Sequence, residues 1–318
     1  MTRLVAAWSR FWFAPIDARA LGVMRVLLGL VLVVNHLSMW PDLDLLLGPD
    51  GAVPSSTALG SAYKYRLSVY DLATTSARLH AIHAAGLLVM VALTLGWRTR
   101  LMSVLSLLVL VSLFHRDRWM MDGGDRLLRV MTLYLCLVPS GLAFSIDGLL
   151  ARRRRRRQGL STELSPLAPR VTHRLLQLQL MWMYFHAGLD KLDGEEWLNG
   201  SALHFTLGDT ALQGVLPLTD FLTTTSLGQG LARFGTYASM SWELSFWLLV
   251  LWRPTRLLAL AIGVFFHLQI AHVMGIGTFS YAALWGYLGF VRPEWLGALP
   301  ARVWGRLRRD TARPAGRG

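Results

Sequence analysis

Eight apolar runs, separated by short connections rich in arginine, constrain this chain more than any other feature of it. A helix needs about 20 apolar residues to cross the hydrocarbon core of a bilayer. In lipid every backbone N–H and C=O must bond within its own segment, so such runs have to be helices. The candidate spans fall near 19–40, 79–96, 101–115, 127–143, 172–190, 237–252, 257–273 and 276–291. The expectation is an all-α, polytopic integral membrane helical bundle of about eight transmembrane helices. It would form one membrane domain over residues 1–300, followed by a basic cytoplasmic tail, 301–318. No internal repeat is visible.

Composition agrees: 53% of residues are hydrophobic, 16% are charged, and the mean hydropathy is +0.41. Eight spans use most of the 318 residues, which leaves no room for a large soluble domain. The first run, Leu21 to Leu37, leads into Ser-Met-Trp-Pro-Asp without a small-x-small cleavage site, so it reads as a span and not a signal peptide. The one cysteine, Cys136, excludes an intramolecular disulfide.

The cations set the orientation. With eight spans, one side holds 21 arginines: those of the N-terminus, Arg98, Arg100, Arg152 to Arg157, Arg170, Arg253, Arg256 and the C-terminal segment. The other side holds eight cations, Lys64, Arg66, Arg78, Arg116, Arg118, Arg126, Lys191 and Arg233. By the positive-inside rule both termini are expected in the cytoplasm. Trp40, Trp97, Trp119, Trp252 and Trp295 fall just beyond span ends, as interfacial anchors should. Placed in this way, the net charge of +13 serves topology and anionic lipid, and no nucleic acid partner is expected. The six arginines at 152–157 read as a topology lock in a solvated loop. Residues 212–227, broken by Pro217 and Asp220, read as a re-entrant or interfacial segment.

Polar residues collect at the outer span ends. These are Asn35 and His36; His115, Asp117, Asp122, Asp125 and Arg126; then His186, Asp190, Lys191, Asp193, Glu195 and Glu196; and finally His272, with His267 mid-span. Ionisable groups are costly in a membrane, so each is a functional candidate. Bland readings stand beside the functional ones. Asp122-Gly-Gly-Asp125 is equally a turn that opens the fourth helix with Asp125 as its cap. The histidines suit a packed core. Arg25, Arg129 and Glu243 lie inside spans and read as structural ion pairs between helices, Glu243 with one of the two arginines. His267 and His272 are five residues apart and do not share a helix face, so no metal site is expected.

Lys191 stands out because only two of the 32 cationic side chains are lysines. An arginine keeps its proton at any physiological pH, whereas a buried lysine can give it up. The bland alternative is an interfacial lysine snorkelling to the headgroups. Asp193 or Asp122 could pair with the amine.

The segment Tyr184-Phe-His-Ala-Gly-Leu-Asp-Lys191-Leu-Asp-Gly-Glu-Glu-Trp197-Leu-Asn-Gly200 closely resembles the surroundings of the catalytic lysine in vitamin K-dependent gamma-glutamyl carboxylases, and in their bacterial relatives, the HTTM (horizontally transferred transmembrane) domain proteins. Further blocks resemble that family in the same order. They are Pro15-Ile-Asp-Ala-Arg19 with Arg25, Gly48-Pro-Asp-Gly-Ala-Val-Pro54, Asp122-Gly-Gly-Asp-Arg-Leu-Leu-Arg129 through Phe144-Ser-Ile-Asp-Gly148, and Phe265-Phe-His267 with Gly275-Ile-Gly-Thr-Phe-Ser-Tyr281.

The resemblance implies an enzyme in which Lys191 deprotonates reduced vitamin K or menaquinol, with oxygen as co-substrate and the quinone leaving as its epoxide. Carbon dioxide would be fixed onto peptidyl glutamate where carboxylase activity is retained. His186, Asp125 and Asp122 would join Lys191 in catalysis. Arg126, Asn35, His36, His267, Trp197, Phe279 and Tyr281 would bind the quinol. The partners are then the lipid bilayer, a lipid quinone and a secreted or periplasmic peptide, with the active face turned outward from a bacterial cytoplasmic (inner) membrane. Three departures narrow this. Asp190 stands where animal carboxylases have a second lysine. Gly124-Asp125 stands where they have Asn-His. The large extramembrane region that binds a propeptide is lacking. A different class of function is a non-redox maturation or export factor for a secreted peptide. A transporter is disfavoured, since no repeat or matched pair of broken helices is present.

Overall fold

The computed structural model describes residues 2–54, 67–117, 119, 121–161, 167–209 and 219–298. The basic tail 301–318, Lys64, Arg66, Arg118 and the stretch 212–218 lie outside the described residues. The chain forms helices α1 (Thr2–Phe13), α2 (Ala18–Ser38), α3 (Leu43–Leu47), α4 (Ser76–Leu95), α5 (Thr99–Arg116), α6 (Gly123–Cys136), α7 (Ile146–Arg157) and α8 (Val171–Leu192). There follow α9 (Glu195–Asn199), α10 (Ala202–Gly208), α11 (Thr219–Thr224), α12 (Ser226–Leu251), α13 (Arg253–Val273) and α14 (Gly277–Gly286). A 3₁₀ turn, Tyr287–Phe290, continues α14. The only strands among the described residues are β1 (Pro15–Asp17) and β2 (Leu167–Pro169), which pair antiparallel with Ile16 opposite Ala168. The fold is therefore nearly all-α. Among the described residues four helices, α2, α4, α5 and α13, are long and apolar enough to cross a membrane.

Local chemistry sets the helix ends. Asp17 caps α2 by accepting the Arg19 amide at 2.9 Å, and Thr75 and Thr225 cap α4 and α12 in the same way. Gly96, at φ +71°, closes α4 in the left-handed conformation, with the Gly96 and Trp97 amides folded back onto Leu93 and Ala92. The fourth and eighth apolar runs fold into the shorter helices α6 and α14. Pro139 follows the first, and the second passes into the 3₁₀ turn. The six arginines at 152–157 were expected in a loop and instead complete α7, which Ser145 caps through the Gly148 amide. Arginine is a good helix former, and nothing in that run interrupts the turn. Of the stretch 212–227, Thr219–Thr224 is the short helix α11 and Ser226 opens α12.

The chain divides into two compact units. The first comprises Met1–Met120, Arg129–Arg174 and Leu288–Gly318, the second Met121–Leu128 and Leu175–Tyr287. In the first, α2 packs closely on α4, and a Cβ at Gly86 would stand 2.9 Å from the His36 ring. Arg25 on α2 is fully buried and donates to the carbonyls of Ser140 (2.5 Å), Ala143 (3.2 Å) and Phe144. This clamp holds a turn in which Phe144 sits at φ +49°. Beside it, Asp147 accepts the Arg98 amide (2.8 Å), the Thr99 amide (2.7 Å) and the Thr99 hydroxyl (2.7 Å), which fixes the α4–α5 turn. Burial alone would raise the Asp147 pKa. The Thr99 hydroxyl, the two amides and the Arg25 charge outweigh it, so the carboxyl stays below the usual range.

Candidate functional site

The second unit contains the lysine. On α8, Tyr184, Gly188 and Lys191 stand at i, i+4 and i+7, within an arc of about 60° on one face. That face meets α12. A Cβ on Gly188 would lie 3.0 Å from the Leu244 backbone nitrogen, so only a glycine lets the two helices come this close. On one side of this approach, Lys191 Nζ reaches Glu243 Oε2 at 2.6 Å. On the other, the Tyr184 ring packs on Trp242 (4.7 Å between centroids) and Phe246 (4.6 Å).

The ion pair is sheltered: the Glu243 side chain is 6% exposed and that of Lys191 18%. The amine also lies 4.8 Å above the Trp197 ring, a cation–π contact, and 3.5 Å from the Ala187 carbonyl of the preceding turn. Trp197 is placed by α9, whose N-cap Gly194 leaves room for the indole. Glu243 was expected opposite Arg25 or Arg129, but its partner is Lys191. Arg25 serves carbonyls, and Arg129 lies 3.8 Å over the Phe114 ring. Neither Asp193 nor Asp122 takes the amine. A signal was present in the sequence, because Glu243 is the one acidic residue deep inside a candidate span.

Deeper in the same unit, the Tyr184 hydroxyl lies 2.5 Å from His267 Nε2 on α13 and 2.8 Å from the Tyr287 hydroxyl. All three side chains are buried. Among the described residues His267 Nδ1 has no hydrogen-bond partner, and its ring stacks obliquely on Phe279 of α14 at 5.5 Å. Phe279 in turn crosses Gly124 so closely that a Cβ there would lie 2.6 Å from its amide nitrogen. The sequence singled out His267 and Phe279; Tyr184 entered only as part of a motif and Tyr287 not at all.

The remaining candidates are placed differently. His186 is exposed and pairs with Asp190 one turn on, Nδ1 to Oδ2 at 3.0 Å. Asp122 and Asp125 bond each other: the Asp125 amide donates to Asp122 Oδ1 (3.0 Å) and the Asp122 amide to Asp125 Oδ2 (3.2 Å). This is a reciprocal capping box at the start of α6, with Asp122 and not Asp125 as the cap. Arg126 lies in its first turn, its amide donating to the Asp122 carbonyl. Tyr281 is largely exposed and approaches Gly277. Asn35 and His36 belong to the first unit. The buried His36 ring stacks on His83 at 3.6 Å, and each Nε2 meets the other residue's backbone carbonyl, at 3.0 and 2.9 Å. Among the described residues no cluster of His, Cys, Asp or Glu has metal-binding form.

Apolar spanning helices and a sheltered lysine–glutamate pair define a helical integral membrane protein. The HTTM domain matches residues 13–295, nearly the whole chain. The chain belongs to the HTTM domain family. It is similar to the uncharacterized protein YitO of Bacillus subtilis (strain 168), 24% identical over 265 residues that cover 79% of this chain and 76% of that protein. No solved structure matches.

Proposed function

We propose that this protein is a membrane enzyme acting on a reduced lipid quinone, with Lys191 as the general base. The observation that carries the reading is the 2.6 Å Lys191–Glu243 pair. In a medium of low dielectric, the charged pair and the neutral amine–carboxylic acid pair are close in free energy, because desolvation offsets most of the Coulomb attraction. Glu243 can therefore take the proton from Lys191 and leave a free amine. Aromatic walls (Trp197 at the amine, Phe279 at His267), an amine, a carboxyl and an imidazole form a donor set that suits a flat, weakly acidic diol. Reduced vitamin K or menaquinol would supply the electrons for dioxygen, which no side chain here can do. Carbon dioxide fixation onto a secreted or periplasmic peptide is the further step that the family resemblance suggests.

The wider arrangement belongs to the same proposal. It has eight spans with both termini cytoplasmic, an outward-facing site in a bacterial inner membrane, and residues 1–300 as one functional membrane domain. The test uses purified protein in lipid nanodiscs with menaquinol and oxygen. Lys191→Ala is expected to lower quinol turnover roughly 10²–10⁴-fold. Unchanged turnover and product in that variant would sink the reading.

A further inference from the structure

Helix α1 is braced to the first unit at one end and bare along one side. Leu4, Val5, Trp8, Phe11 and Trp12 fall within an arc of about 120° around the helix, and Arg3 and Arg10 fall opposite them. Only Phe13, the last residue, departs from this division, and the helix carries no acidic residue. The three rings of the arc touch one another, with centroids 6.5 Å apart for Trp8–Phe11, 5.7 Å for Trp8–Trp12 and 5.2 Å for Phe11–Trp12. The face is nevertheless open, since Leu4 is 78% exposed, Trp8 65% and Val5 63%. A contiguous apolar face of this kind marks a surface that something covers.

The place of α1 in the chain says what covers it. Ala18 opens the spanning helix α2, whose 21 residues extend about 30 Å, the thickness of the hydrocarbon core. Ala18 therefore stands at the membrane surface. The link from Phe13 to Ala18 reaches at most about 17 Å, so α1 ends close to that level. Other contacts fix this end. The Arg170 amide donates to the Ala14 carbonyl (3.1 Å), and β1 in the link pairs with β2. Arg174 Nε donates to the Phe11 carbonyl (3.2 Å), with the guanidinium 4.3 Å over the Phe11 ring. Carbonyls in the last turn of a helix lack amide partners of their own, and a cation there suits the helix dipole.

We propose that α1 lies in the plane of the membrane surface and binds anionic phospholipid. Its aromatic face enters the boundary between headgroups and acyl chains, and Arg3 and Arg10 reach up to the lipid phosphates. Charge selects the lipid, because two guanidinium groups on a helix without carboxylates favour negative headgroups over zwitterionic ones. A lipid-bound α1 is independent of the quinol reading.

The test places one spin label at a time in the full-length Cys136→Ser protein, at Leu4→Cys and Val5→Cys on the apolar face and at Ala6→Cys and Ser9→Cys on the other. The nanodiscs hold phosphatidylcholine, with or without phosphatidylglycerol. Relaxation by oxygen, which dissolves in lipid, relative to a water-soluble nickel complex is expected to be roughly tenfold higher at Leu4→Cys and Val5→Cys than at the other two. Equal relaxation by nickel at all four would mean a helix in water and would overturn the proposal. Labels at Leu4→Cys coupled between two copies would overturn it too, in favour of self-association. Adding phosphatidylglycerol is expected to raise the ratio at Leu4→Cys, and Arg3→Gln with Arg10→Gln is expected to abolish that rise. A ratio at Leu4→Cys indifferent to phosphatidylglycerol would overturn the anionic-lipid assignment.

Discussion

The two units bury cations in opposite ways. In the first, Arg25 is fully buried and donates to three backbone carbonyls, and Arg116 donates to those of Val53, Leu47 and Gly48 at 3.0, 3.0 and 2.9 Å. In the second, Lys191 faces a single carboxylate. A guanidinium has five donors in a rigid fork and keeps its charge, so it can bind several carbonyls at once and hold a turn. An ammonium is a compact charge that can be removed, and a carboxylate beside it is a place to put the proton. On the proposed function, Arg25 is a cation that must be permanent and Lys191 one that must not be.

The largest expected effect comes from breaking the permanent cation. Arg25→Met leaves three carbonyls, two of them in buried contacts, without their donor and should cost about 3–5 kcal/mol of stability, read by thermal unfolding in detergent. Arg25→Lys should recover only a minor part, because one ammonium cannot reach all three oxygens. Full recovery by lysine would erase the contrast between the units.

The removable cation predicts a different pattern. Lys191→Met should destabilise by about 2–4 kcal/mol, since it leaves the Glu243 carboxylate buried and alone. The double variant Lys191→Met with Glu243→Leu should return to within about 1 kcal/mol of wild type, a coupling that a double-mutant cycle measures directly. Lys191→Arg should keep the fold and lose quinol turnover. A stable and active Lys191→Arg protein would show that charge alone is needed there.

These patterns also show what the sequence could tell. The helical membrane class followed from apolar run length, and Lys191 from its rarity among thirty arginines. The family followed from motifs in order. The pairing of Glu243 did not, because spacing on one helix says which residues share a face but not which other helix meets it. The Gly188–Leu244 approach decides that, and it is a tertiary fact. The six arginines at 152–157 misled for the opposite reason. Charge suggested solvent and hence a loop, whereas helix propensity and the Ser145 cap act locally and prevailed. At Asp122 and Asp125 the turn reading was sound but the capping residue was the other aspartate. The two carboxylates accept each other's amides, and that reciprocity depends on where the first helical turn closes.

The smallest expected effect concerns the support of the arginine clamp. Asp147 accepts three hydrogen bonds and adds a negative charge that favours Arg25. Its folded pKa lies below the unfolded value. Its contribution is therefore complete above the unfolded pKa, and it is lost as pH falls through the folded one. Asp147→Asn should cost about 1 kcal/mol near neutrality. As the medium is acidified through the carboxylate range, the wild type should lose that advantage and the two unfolding curves should converge. Lys191 and Glu243 are untouched by this substitution, so quinol turnover by the folded Asp147→Asn protein should match wild type. A constant gap between the curves down to strongly acidic pH would mean that Asp147 acts on the turn through packing and not through its charge.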